Sequence, residues 1–325
     1  MNMEYAKCGL CGADEAKYLF SATDYTYGVK GNFDLVKCNK CGLSYMNPRP
    51  KKGSLSELYP KKYFAFSEDN LNPRQSFNSF LSRKEEDVLK EWINGEKFSF
   101  KKLASLPHYL LIKEFDHTFI PTKNRGRILD VGCGIGGCLL KWRQQGWGVS
   151  GVELDKGAVN YAKKKFNLNV FFGTLERSKF KKNYFDVITT FHLLEHVQEP
   201  KAVLMKAREL LKEKGELIIV TPNFDSLESK VFGKEWWNID APRHFYHFTP
   251  KTLGRMIEES GFKIEKIKYN VSPNIFLDGI NSYFTRKKIP LKVNNSFFAF
   301  LLMPFYCLLS FFRCGGSMAF YVKKK

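Results

Sequence analysis

One stretch restricts the fold more than any other: RILDVGCGIGG, residues 127–137, an apolar run that breaks into closely spaced glycines. An apolar run, glycines and then an amphipathic segment read as a strand, a tight turn and a helix, with RILDVG (127–132) as the strand and 137–145 as the helix. Gly132, Gly134 and Gly136 permit the turn and let backbone approach a ligand closely. The helix N-terminus behind them offers amides to an anion. Taken alone the loop is ambiguous, because Gly132, Gly134 and Gly137 also satisfy GxGxxG for a dinucleotide.

Beyond this loop the chain alternates short apolar runs with longer amphipathic ones, the pattern of βα units around a parallel sheet. VSGVEL (149–154), VFF (170–172), FDVITT (185–190) and ELIIVT (216–221) are the further strands. Helices are expected near 156–166, 199–212 and 250–260, and FKIEKIKY and SMAFYVKK close the sheet as a final hairpin. Asp130, two residues before the first glycine, would repel a pyrophosphate but can accept bonds from a methionine ammonium group. Glu153, 23 residues on at the end of the next strand, can grip both hydroxyls of a ribose.

RILDVGCGIGG, VSGVELD, YFDVITTFHLLEHV, KGELIIVTPN and MAFYVKKK, in this order and spacing, resemble the class I S-adenosylmethionine-dependent methyltransferases over 105–325. The resemblance implies an α/β fold: a seven-stranded Rossmann-like sheet with its last strand antiparallel, binding S-adenosylmethionine. It implies that Asp130, Gly132, Gly134 and Gly136 line the methionine and ribose, and that Glu153, with Leu154 beside it, holds the ribose. Thr174 and Leu175 would flank the adenine. The acidic residue usual after the third strand is displaced to Glu176.

Residues 1–50 are organised differently. Cys8-x2-Cys11-Gly12 and Cys38-x2-Cys41-Gly42 are two copies of CxxCG separated by 26 residues. Each spacing lets two thiolates of one turn face one ion, and two turns complete a closed, all-sulfur tetrahedron. We therefore expect a structural Zn2+ held by Cys8, Cys11, Cys38 and Cys41 in a zinc ribbon, against a chance cluster or a redox pair. Residues 51–104 read as a helical connector, with periodicity at Leu81, Val88, Leu89 and Trp92.

Acceptor chemistry is expected from histidines. His192 and His196 follow the fourth strand in FHLLEHV at helical spacing, and in the family this region abuts the cofactor. The segment KEWWNIDAPRHFYHFTPKTL (234–253) offers Trp236, Trp237, Phe245, Tyr246 and Phe248 as pocket walls and Arg243 as a partner for an acidic substrate group. His244 or His247 can take a proton there, and Thr249 with Pro250 opens the next helix. A similar PRH-x-x-x-F stretch occurs in a zinc-knuckle subgroup of the family associated with cell-surface carbohydrate pathways. His244 and His192 are the candidate bases, each weighed against a packing role. The amine-methylation signature NPPY is absent.

Fifty-two basic against 33 acidic side chains give a formal charge of +19, which attracts polyanions. The N-terminus lacks a signal-peptide pattern, so a reducing cytosol is expected. An apolar insertion at 293–314, SFFAFLLMPFYCLLSFF at its centre, is short for a span and interrupted by Pro304. Flanked by Arg286, Lys287, Lys288, Lys292 and Arg313, it suits a peripheral contact with the anionic inner face of a membrane. The expected partner is a small or lipid-linked sugar acceptor, methylated on a hydroxyl. The rivals are an RNA methyltransferase and a non-enzymatic zinc-ribbon adaptor.

Overall fold

In the N-terminal unit, β1 (Met3–Glu4) pairs antiparallel with β5 (Arg49–Pro50). Between them β2 (Ala16–Ala22), β3 (Phe33–Cys38) and β4 (Ser44–Met46) form an antiparallel meander. The computed structural model describes residues 1–59, 126–270 and 312–325, with scattered positions between 277 and 293. The periodicity at Leu81, Val88, Leu89 and Trp92 and most of the apolar insertion lie outside the described residues. Of the connector, Lys52–Leu58 forms a short 3-10 helix.

The rest builds one seven-stranded sheet. Its members are β6 (Arg127–Val131), β7 (Gly148–Glu153), β8 (Val170–Phe172), β9 (Phe185–Phe191) and β10 (Leu211–Pro222), with β12 (Phe262–Asn270) and β13 (Ser317–Lys324). The order is β12-β13-β10-β9-β6-β7-β8. Pairing is parallel from β10 to β8, while β13 runs antiparallel to both β10 and β12. Helices α1 (Gly137–Gln144), α2 (Lys156–Phe166), α3 (Pro200–Leu210), α4 (Leu227–Phe232) and α5 (Pro250–Glu259) connect the strands. The expected strand count, and the antiparallel last strand, are those observed.

Local chemistry accounts for the boundaries. Asp155 caps α2 by accepting the Ala158 amide at 2.7 Å, and Asn167 ends it in the left-handed region. Thr249 and Thr252 form a reciprocal capping box that starts α5, with Pro250 at its first position. Ile128, Leu129 and Val131 of the central strand β6 are buried, as a parallel strand covered on both faces requires.

A two-residue strand, β11 (Tyr246–His247), belongs to the second unit in sequence but to the first in pairing. It extends the N-terminal meander, with Tyr246 opposite Tyr45 and His247 opposite Ser44. Further bonds join the units: Gln198 Nε2 to Pro50 O at 2.7 Å, and Arg49 Nη1 to Gln198 O at 3.0 Å. Gly9 lies so close on the Tyr246 ring that a Cβ there would collide with the phenol.

Candidate active site

The glycine loop leaves β6 at the carboxyl edge of the sheet. Gly132, at φ 80°, adopts a backbone that glycine takes without strain. A Cβ on it would meet Leu193 Cδ1 at 3.0 Å, so the turn after β9 lies directly against the loop. Gly134 and Gly136 also have positive φ, and Gly136 leads into α1. Just before the loop, Asp130 is 4% exposed and accepts the Thr189 hydroxyl at 2.7 Å. The two residues are register partners on β6 and β9. Burial pushes the Asp130 carboxyl up to about 7; the Thr189 bond opposes this and the neighbouring Glu153 adds to it.

Glu153 closes the other side. Its carboxylate accepts the amides of Gly134 (2.9 Å), Leu154 (2.6 Å) and Asp155 (2.7 Å). Burial still raises its carboxyl above the ordinary value, against those amides. Leu154 is exposed and Thr174 partly so. Leu175 differs from the expectation: its side chain is buried in the core with Leu194 and Phe185, because the 3-10 turn Leu175–Arg177 points it inward. Glu176 on that turn is exposed. A buried carboxylate before a glycine turn, with a second carboxylate at the next strand end, fits an amino-acid nucleoside cofactor.

The second half of the site follows β9. FHLLEHV is not a regular helix: His192 sits at φ 50°, and only Leu194–His196 make a 3-10 turn. His192 and His196 therefore do not share a helix face. His192 is 47% exposed, with Nδ1 3.3 Å from Oε1 of Glu195, itself 1% exposed. Burial would raise the Glu195 carboxyl, but His192, His244 and His196 around it hold it down at about 2. His196 and His244 meet edge to face, centroids 4.4 Å apart. Tyr59 Oη lies 3.2 Å from His196 Nδ1. Burial and the neighbouring His244 push His196 down to about 4. His244 Nδ1 is 2.8 Å from Asn238 O; as a carbonyl only accepts, Nδ1 carries the proton and Nε2 keeps its lone pair. One ligand atom each from Glu195, His196 and His244 lie within 4.8 Å of one another.

The 234–253 segment departs from the expected pocket wall. Trp236, Phe245, Tyr246 and Phe248 are core residues, and Trp237 alone of the five is exposed. Arg243 is fully buried and paired within the protein, so it is closed to an acidic substrate group. His247 is buried, and burial together with His244 pushes it down to about 3. Asp24 and Tyr59 escaped the sequence reading because each contributes by a bond to a distant residue, whereas Asn238 and Asp240 lie inside the 234–253 segment and only its folded backbone turns their oxygens toward His244 and Arg243. Glu195 and Thr189 lay inside motifs already noted, and strand register is the signal that would have picked out Thr189 beside Asp130.

The four ribbon cysteines converge. Cys8 and Cys41 sulfurs are 3.4 Å apart and those of Cys11 and Cys38 3.5 Å, all four lying within 4.8 Å of one another. A tetrahedron with metal–sulfur bonds of ~2.3 Å has edges of about 3.8 Å, so the donor set fits one such cation. The amides of Gly12 and Gly42 bond back to the carbonyls of Cys8 and Cys38. Burial would raise the Cys38 thiol, but the Cys41 and Lys40 amides bring it down to about 7.

Comparison with known proteins agrees with the geometry. A methyltransferase-domain family model matches residues 98–267, just over half of the chain. Ubiquinone biosynthesis O-methyltransferase of Nitrosospira multiformis is 28% identical over 152 residues, covering 43% of this chain and 64% of that protein, less than two thirds of its length. An uncharacterized protein of Methanocaldococcus jannaschii is 27% identical over 188 residues, covering 58% of this chain and 78% of that one. A solved methyltransferase of Thermotoga maritima overlays with TM-score 0.45 at 16% identity, covering 74% of this chain and 99% of the other. The family model sets aside the reading as a non-enzymatic adaptor: the chain is a member of the methyltransferase-domain family, an S-adenosylmethionine-dependent enzyme.

Proposed function

We propose that the enzyme methylates a hydroxyl of a small or lipid-linked acceptor, a sugar of a surface polysaccharide or its precursor. The observation that carries the hydroxyl is the cluster of Glu195, His196 and His244 beside the turn that covers Gly132. A hydroxyl must lose its proton as it attacks, and a positioned imidazole is suited to receive it. That relatives bear the name O-methyltransferase is in keeping with this chemistry. The sugar rests on the PRH-x-x-x-F stretch at 242–248.

S-adenosylmethionine, when bound, supplies an electrophilic methyl group on a sulfonium. Asp130 would hold its ammonium group, Glu153 its ribose hydroxyls, and Leu154 and Thr174 would border the adenine. The Leu175 side chain, buried in the core, would not reach that base. His244 takes the acceptor proton on Nε2, because Nδ1 is committed to Asn238 O. His192, backed by Glu195, flanks the cofactor side as the second candidate base. With proton transfer arranged, rate depends mainly on alignment of acceptor and methyl.

Cys8, Cys11, Cys38 and Cys41 hold a structural zinc ion that keeps the ribbon folded. The protein works in the cytosol at the inner face of a membrane, its positive charge drawn to anionic lipid. Among the described residues no helix is long and apolar enough to cross a membrane. Purified enzyme with methyl-labelled S-adenosylmethionine and extract from cells lacking the protein tests the acceptor. Label in the lipid or carbohydrate fraction is expected; label in RNA would overturn the acceptor class.

A further inference from the structure

Arg243 stands next to the candidate base, yet its charge is paired within the protein. Its side chain is entirely buried, as is that of Asp24 in the N-terminal unit. Nη1 and Nη2 donate to the two Asp24 oxygens at 2.8 and 2.9 Å, a two-pronged pairing across 219 positions of sequence. Nε donates to both oxygens of Asp240 at 3.0 Å, and Nη2 to Oδ1 at 2.6 Å. The guanidinium also lies over the Tyr27 ring, 4.6 Å from its centroid. One planar cation thus has all its charge committed to two carboxylates.

Asp240 is the residue through which this matters. Its carboxylate lies 3.9 Å from His244 Nε2, the atom that must accept a proton, and its carbonyl accepts the His244 amide at 3.1 Å. Free to move, it would swing onto Nε2 and hold a proton there, closing that nitrogen to an incoming one. Asp24 is equally fixed: besides Arg243 it accepts the amides of Thr26, Tyr27 and Val29, ordering its own loop. Burial would raise the Asp24 carboxyl, but the Arg243 guanidinium keeps it below the ordinary value.

We propose that Arg243 is a positioning residue: anchored by Asp24 of the N-terminal ribbon, it holds Asp240 off His244 Nε2 and so keeps the base open. The ribbon is then part of the acceptor site, through a carboxylate that touches neither cofactor nor acceptor. The other charged or titratable groups around His244 are Glu195, His196, His247 and Tyr59. This rests on the reading of His244 as the base, but it can be examined without an acceptor.

The experiment follows the ring nitrogens of His244 by 15N-histidine NMR on the full-length protein, the signal being assigned by its loss in His244→Gln. In the native protein at alkaline pH the ring should show a proton on Nδ1 alone. In Arg243→Gln, Asp240 should reach Nε2, so the doubly protonated ring persists to higher pH than in the native protein. Asp24→Asn should shift it in the same direction by less, and Arg243→Lys should restore part of the native behaviour. Binding of S-adenosylhomocysteine at native affinity shows that each variant is folded. If Arg243→Gln fails to fold, Asp24→Asn and Arg243→Lys carry the comparison. A native His244 signal in variants that bind S-adenosylhomocysteine normally would overturn the proposal. If the signal moves as expected but His244→Gln still methylates the labelled extract at the native rate, Arg243 positions His244 and the base is another residue.

Discussion

A carboxylate enclosed as Asp130 is ionises most readily when a cation arrives beside it. In the folded, ligand-free protein its carboxyl sits at about 7, well above an aspartate in an unfolded chain, so between those values the fold holds the extra proton. Its contribution favours the fold at low pH and is lost as the pH rises through 7. Asp130→Asn should therefore stabilise the ligand-free protein at pH 8 by, at most, on the order of a few kcal/mol, seen as a higher unfolding temperature. The same variant should lose cofactor binding, which thermal melts with and without S-adenosylhomocysteine would show together. For the native protein, calorimetry should find S-adenosylhomocysteine binding about tenfold tighter at pH 8 than at pH 6, as the cofactor's ammonium favours the carboxylate. His244→Gln should lower methyl transfer by about 10²-fold or more with cofactor affinity unchanged, read as kcat against the binding constant. Asp130, the glycines and Glu153 were legible in the sequence because a strand, its turn and the next strand end are fixed by local pattern. The Thr189 bond, Asn238 behind His244 and the inward turn of Leu175 were not: the first depends on strands meeting in register, the other two on turns of the backbone that carry no periodic signal.

At the scale of elements, the join between the ribbon and the catalytic sheet has the most to say. The Phe245 amide donates to Glu195 O at 2.7 Å, and Phe245 O accepts the Met46 amide at 2.9 Å. A continuous run of backbone bonds thus ties the turn after β9, the His244 loop and β4. A ribbon loosened by metal removal should disturb the acceptor side before the cofactor side. Chelator treatment or Cys38→Ser should release one zinc per chain, measured by metal analysis, and reduce methyl transfer at least tenfold. S-adenosylhomocysteine binding should change far less. The CxxCG pairs, the seven strands and the Thr249 cap were readable from spacing and period. β11 was not: two residues, Tyr246 and His247, carry no periodic signal, and they become a strand only because β4 offers an open edge. FHLLEHV misled for a related reason, since its spacing matches a helix while a left-handed His192 breaks it.

The whole molecule carries 19 more basic than acidic side chains. Attraction between such a surface and an anionic one is screened within about 10 Å at 0.1 M salt. Flotation with vesicles rich in anionic lipid should recover the protein at low salt and lose most of it near 0.5 M; recovery that ignores salt would place the contact in apolar residues instead. The position of β13 bears on how the molecule is made. It fills the slot between β10 and β12, yet its residues follow both in the chain, after the long stretch from 271 to 316. While a ribosome is still translating that stretch, the nascent sheet ends at an unpaired edge of β10 and β12 has no neighbour, each open to any passing strand. Synthesis that stalls there would leave a chain with its glycine loop in place and its sheet unclosed, a natural target for chaperones and proteases.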